Sequence, residues 1–174
     1  MKKIILATLI SGAMSASALA VDAGSGTVTF TGSIIVAPCS IAPGEENQEV
    51  ELGQVSNITL KNGNASSSQP FTIQLEGCNL EKDNLVTVTF NGTEALDAEG
   101  KGNGLLQITG DASGAAVKIM NASGAQINVN SGNTQSYVEG DNTLKFQAAL
   151  QGVEGVDPVP GNFQAVTNFK LAYN

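Results

Sequence analysis

The 174-residue chain contains no His, no Trp and no Arg. Without His it has no Ser–His–Asp triad, no Cys–His pair and no His-ligated zinc site. Its eight basic residues are all Lys, against sixteen Asp and Glu. That balance excludes nucleic-acid binding, which needs a Lys/Arg footprint to displace counterions. Aromatic residues are 5% of the chain, too few for base-stacking platforms. Charged residues are 14%, against about 25% in an ordinary soluble domain. Gly is abundant, at 20 residues, as are small polar side chains. Length and composition together predict one all-β domain with many turns.

Residues 1–20 read as a secretory signal peptide. Lys2 and Lys3 precede an apolar run, Ile4 to Met14, that is short for a bilayer span. Ala18-Leu19-Ala20 is a small-x-small cleavage site, and Val21 to Ala23 offers a second one ending at Ala23. No later segment has 18 consecutive apolar residues, so no spanning helix is expected in the mature chain. Export to an oxidising compartment makes Cys39 and Cys78 a structural disulfide. They form no CxxC pair, and the charges around them are mostly acidic, which argues against a reactive thiol.

Period-two alternation marks strands at 27–34, 50–52, 71–75, 85–90, 117–120, 126–129, 144–150 and 163–173. Turn residues punctuate them, as at Asn91-Gly92 and Asn121-Ala122-Ser123-Gly124. No stretch after residue 20 reads as a capped helix. Residues 62–69 and 97–104 read as surface loops. Short strands at this spacing predict a sandwich or barrel.

The two ends carry the functional signal. Ala165, Thr167, Phe169, Leu171 and Tyr173 share one face of the last strand. Lys170 is its only charge and no Pro blunts it. Asn174 follows directly, so the sheet is expected to lack its final strand. Near the other end Gly26, Val28, Phe30, Gly32 and Ile34 also share a face.

In this order the segments resemble a chaperone–usher pilin, the subunit of type 1-like fimbriae, over residues 24–174. The resemblance rests on Gly26-Thr27-Val28-Thr29-Phe30-Thr31-Gly32-Ser33-Ile34 before Pro38-Cys39, and on Val50-Glu51-Leu52-Gly53-Gln54-Val55. It continues through Phe71 to Cys78, Leu144 to Ala148, Gly161 and the penultimate Tyr173. The family often has Tyr where Leu150 stands, a departure that also suits a core position.

The resemblance implies an incomplete immunoglobulin-like β-sandwich lacking its C-terminal strand, completed by a donor strand from another subunit or a chaperone. It implies a donor extension over 21–36 and a pilin domain over 37–174. Gly26, Val28, Phe30, Gly32 and Ile34 become the donor residues. Gly161, Phe163, Ala165, Thr167, Phe169, Leu171 and Tyr173 become the acceptor groove and chaperone-binding strand. The implied partners are neighbouring subunits, a periplasmic chaperone, an outer-membrane usher and, through the filament, a host-cell receptor. The implied function is the major shaft subunit of an adhesive cell-surface fimbria, exported through the periplasm, with no cofactor, metal or catalysis. A minor adaptor pilin is the nearest alternative, followed by a pilin with its own lateral carbohydrate- or receptor-binding activity.

Other candidate chemistry is weak. Glu45, Glu46, Glu49 and Glu51 read as a solvated acidic face, since the spacing of a calcium loop is absent. Gly100-Lys101-Gly102-Asn103-Gly104 lacks P-loop spacing and a following helix.

Overall fold

A computed structural model describes residues 25–80 and 84–173. The expected signal peptide, residues 1–20, therefore lies outside the described residues. The chain divides into two units, Met1–Ile34 and Ile35–Asn174. In the first, residues 25–34 are exposed and carry neither helix nor strand.

The second unit holds twelve strands among its described residues. They are β1 Ser40–Ile41, β2 Gln69–Cys78, β3 Leu85–Asn91, β4 Glu94–Leu96, β5 Gly102–Gln107, β6 Thr109–Gly110, β7 Ala115–Asn121, β8 Gln126–Ile127, β9 Gly132–Ser136, β10 Gly140–Gly152, β11 Phe163–Gln164 and β12 Asn168–Tyr173. The larger sheet runs β1-β2-β10-β7-β5-β4, with β8 also on β7. The smaller runs β12-β3-β9, and β6 pairs with β11 as a separate clasp. All of these pairings are antiparallel.

The inner faces follow from alternation. Ile73 and Leu75 of β2, Val86, Val88 and Phe90 of β3, and Leu144, Phe146 and Leu150 of β10 are buried. Phe146 lies opposite Phe71 in the β10–β2 register. Phe90 crosses from the smaller sheet and meets both rings, at centroid distances of 5.9 Å to Phe71 and 5.1 Å to Phe146. Edge-to-face contacts of this kind add about 0.5–1.5 kcal/mol each beyond burial. The disulfide Cys39–Cys78 ties the start of β1 to the end of β2.

Several strands extend past their expected limits, because a ladder partner holds residues whose side chains carry no signal. β10 spans thirteen residues where seven alternate clearly. β5 and β9 are unexpected. Leu105 and Leu106 of β5 break alternation because both faces are covered: Leu106 enters the main core, and Leu105 packs with Ala95 and Ala116 on the other side. β9 has no apolar residue and is held by its ladder to β3. Conversely, 27–34 and 50–52 are not strands, and β8 stops at Ile127. The expected strand 163–173 is two, β11 and β12, with 165–167 between them. The loop reading of 62–69 fails at both ends, at the 3-10 turn Lys61–Gly63 and at Gln69, and that of 97–104 fails at Gly102.

A single helical turn, α1 Asn57–Leu60, also escapes the sequence, since it has no side-chain cap. It sits where β10 ends in Gly152, at which any Cβ would collide with the Leu60 carbonyl.

Replacing Cys39 and Cys78 together by Ser should cost about 2–5 kcal/mol in urea unfolding. An unchanged midpoint would show that the bridge adds nothing to this fold.

Candidate functional site

β12 is an edge strand. It pairs with β3 along its whole length, from Asn168↔Asn91 to Tyr173↔Val86. No strand lies on its other side among the described residues. Phe169, Leu171 and Tyr173 are half-buried, while Asn168, Lys170 and Ala172 are exposed. The same alternation runs back through Thr167, Ala165 and Phe163.

Beside this edge lies a cavity of about 1160 Å³. Phe163, Ala165, Thr167 and Phe169 line one side. The opposite wall is residues 46–55, from which Val50, Leu52 and Val55 turn towards the core. Among the described residues, no backbone hydrogen bond joins 46–55 to another segment. Its side-chain link to the larger sheet is Gln48 Nε2, donating to the Thr72 carbonyl at 2.8 Å. Phe71, Ile73, Phe90, Leu106, Val117 and Leu150 line the cavity between the walls. The cavity is thus a largely apolar slot between the free edge of residues 165–169 and the backbone of 46–55, which has no ladder partner. Such a slot is suited to an extended segment whose alternate side chains point inward.

Gly161 stands at one end of the slot. The following residue clamps the 111–112 turn, its carbonyl accepting from the N–H of Asp111 at 2.9 Å and of Ala112 at 3.1 Å. A Cβ at Gly161 would lie 2.6 Å from the Ala112 nitrogen and 2.7 Å from the Asp111 carbonyl carbon. Backbone atoms cannot rotate away, so Gly161 is needed for close approach. At the far end of β12, Tyr173 meets Tyr137 edge to face at 5.8 Å. Neither hydroxyl has a hydrogen-bond partner among the described residues. Desolvation by burial, with a smaller contribution from Tyr137, raises the Tyr173 phenol above its ordinary value.

The seven residues expected at an acceptor groove divide into two groups. Gly161, Phe163, Ala165, Thr167 and Phe169 line the cavity. Leu171 and Tyr173 do not, although they continue the same face into the core cluster. The wall at 46–55 was missing from that set, despite the alternation of Val50 and Leu52 around Glu51. The expected donor residues Val28, Phe30 and Ile34 are 75%, 90% and 103% exposed. A Cβ at Gly26 or Gly32 meets nothing within 4 Å.

Two outcomes test these placements. Gly161→Ala should destabilise by about 1–3 kcal/mol, and should speed hydrogen exchange at the β6–β11 clasp more than at β3. A uniform effect, or none, would contradict the close-approach role. Tyr173 holds its proton longer in the folded state than in the unfolded chain. Its contribution is therefore fully present below about pH 10 and is lost as pH rises through the higher folded value. Urea midpoints should fall at alkaline pH in the wild type and fall less in Tyr173→Phe; equal slopes would contradict this.

Comparison with known proteins gives the same fold and the same kind of molecule. The family model described as "Fimbrial protein" matches residues 28–174. A "Fimbria A protein" of Serratia marcescens is 46% identical over 99% of this chain and 98% of its own. The "Major MR/P fimbria protein" of Proteus mirabilis is 48% identical over 90% of this chain and 89% of its own. Among solved structures, the P pilus rod subunit PapA superposes with a TM-score of 0.69 at 25% identity, over 79% of this chain and all of its own. A chaperone–usher pilus, solved in connection with rod uncoiling, gives a TM-score of 0.77 at 26% identity, over 88% of this chain and 98% of its own. The chain belongs to the fimbrial protein family and is a structural subunit of a cell-surface fimbria.

Proposed function

We propose that the slot beside β12 accepts an extended strand from another chain, and that residues 21–36 of a neighbouring copy supply it in the filament. The observation that carries this reading is the open edge of β12 facing an apolar cavity whose other wall is also without ladder partners. A strand placed there gains backbone hydrogen bonds on both sides and buries alternate side chains. Val28, Phe30 and Ile34 have the required spacing and are exposed. Burying each is worth roughly 1.5–3 kcal/mol before ordering costs.

The glycines support the same assignment. Gly26 and Gly32 lie outside the positive-φ positions, and side chains there would meet open space. The chain's own fold gives no reason for Gly at either position. An acceptor slot with no room for a side chain gives one. Each subunit thus offers a donor at one end and a receiver at the other. The contact is heterologous and generates an open filament. Before assembly the slot is an exposed core and an aggregation hazard. A periplasmic chaperone lending a strand, and an outer-membrane usher at which the next subunit replaces it, resolve that hazard. The relatives named as a major fimbria protein and a rod subunit support a shaft role for this chain.

The test is thermal unfolding of a chain lacking residues 21–36, alone and with a synthetic peptide of those residues. The peptide should raise the melting temperature strongly, and Gly32→Tyr in the peptide should abolish the effect. A truncated chain that is already stable and indifferent to the peptide would overturn strand addition.

A further inference from the structure

Asn-Gly occurs three times in the chain, at Asn62-Gly63, Asn91-Gly92 and Asn103-Gly104. This pair is the chemically labile form of asparagine. The residue after it has no Cβ, so its backbone nitrogen can approach the side-chain carbonyl carbon.

The fold locks two of the three. Asn91 lies in β3, paired with Asn168 of β12. The Gly92 N–H donates to Asn130 Oδ1 at 3.1 Å, and the Gly92 carbonyl accepts from Asn130 Nδ2 at 3.0 Å. Asn103 lies in β5, and its Oδ1 accepts the Leu105 N–H at 3.0 Å. The Gly104 N–H donates to Glu94 Oε1 at 2.6 Å. In both pairs a side chain from another segment holds the nitrogen that would have to attack.

Asn62-Gly63 is held differently. It belongs to the 3-10 turn Lys61–Gly63 that follows α1, and Asn62 is exposed. Among the described residues no side chain caps this turn. Its own backbone closes it, and the bond from the Asn64 N–H to the Lys61 carbonyl is long, at 3.3 Å. Asn62 stands at φ 58° and ψ 35°. There the Gly63 nitrogen points away from the Asn62 side chain, so attack needs a rotation about the Asn62 Cα–C bond. A short uncapped turn at the surface opens for that at small cost, whereas β3 and β5 do not.

We propose that Asn62 is a site of spontaneous covalent modification in the folded chain, through a succinimide formed with Gly63. The Gly63 backbone nitrogen gives its proton to solvent base and attacks Asn62 Cγ. The Cγ–Nδ2 bond breaks, and Nδ2 takes up a proton and leaves as ammonia. One water then opens the ring. Opening at Cγ gives aspartate, and opening at the main-chain carbonyl gives isoaspartate, whose backbone runs through the side chain and is one methylene longer. Either product adds a negative charge to a turn that lies against Glu154, whose Cβ is 3.6 Å from where a Cβ on Gly63 would be. Isoaspartate also lengthens the turn that follows Leu60. The Leu60 carbonyl abuts Gly152, and Leu60 lines the slot beside β12. The modification thus acts at the rim of the slot, but its chemistry does not depend on strand addition.

The experiment incubates the full chain in mildly alkaline buffer, folded and in urea. Peptide mass mapping follows all three sites, and enzymatic methylation of isoaspartate marks that product. In the folded chain Asn62 should convert at least tenfold faster than Asn91 and Asn103. In urea the three rates should converge, because the locks at Asn91 and Asn103 are then gone. Asn62→Gln should remove the fast phase of ammonia release from the folded chain. Equal rates at the three sites in the folded chain, or Asn91 or Asn103 converting ahead of Asn62, would overturn the proposal. So would an Asn62 that converts only in urea.

Discussion

Phe90 against Phe71 and Phe146 is the contact on which the two sheets depend. One ring comes from the smaller sheet and two come from the larger. Both Phe71 and Phe90 also line the slot beside β12. The centre of the core and the base of the open site are therefore the same side chains. The smaller sheet has three strands, and its edge strand β12 rests on β3 alone. A sandwich in this condition lacks the second row of hydrogen bonds that would fasten β12. The disulfide partly offsets this by holding β1 to β2, next to the free wall at 46–55.

This arrangement explains why features that look like defects persist together. A long apolar edge is normally blunted by charge or Pro. β12 carries a single Lys, whose side is exposed. An apolar segment with no ladder partner is normally a poor use of sequence, yet Val28, Phe30 and Ile34 repeat with strand period at full exposure. Under the proposed strand addition each feature has a use in another copy. The proposed strand addition puts filament stability in contacts between chains.

The core of this plan was legible in the sequence, because alternation survives wherever one face is buried. β2, β3, β7 and β10 announce themselves through Ile73 and Leu75, Val86 and Val88, Val117 and Ile119, and Leu144 and Phe146. The disulfide followed from export and from having two Cys. β5 was hidden because Leu105 and Leu106 are buried on opposite faces, which erases the period. β9 was hidden because Gly-Asn-Thr-Gln-Ser has no apolar side chain to mark it. At the slot, residues on the β12 side were readable and Gly161 gains a steric reason. The wall at 46–55 was not placed, since alternation says which side chains turn inward but not which backbone lacks a partner.

Hydrogen exchange at β12, read amide by amide, tests the central claim most directly. In a subunit lacking residues 21–36, amides that donate to β3 should be protected and alternate amides facing the slot should exchange fast. Adding a peptide of residues 21–36 should protect those alternate amides, together with amides in 46–55. If the slot-facing amides are already protected in the lone subunit, or stay unprotected with the peptide bound, β12 is not the receiving edge and the account fails.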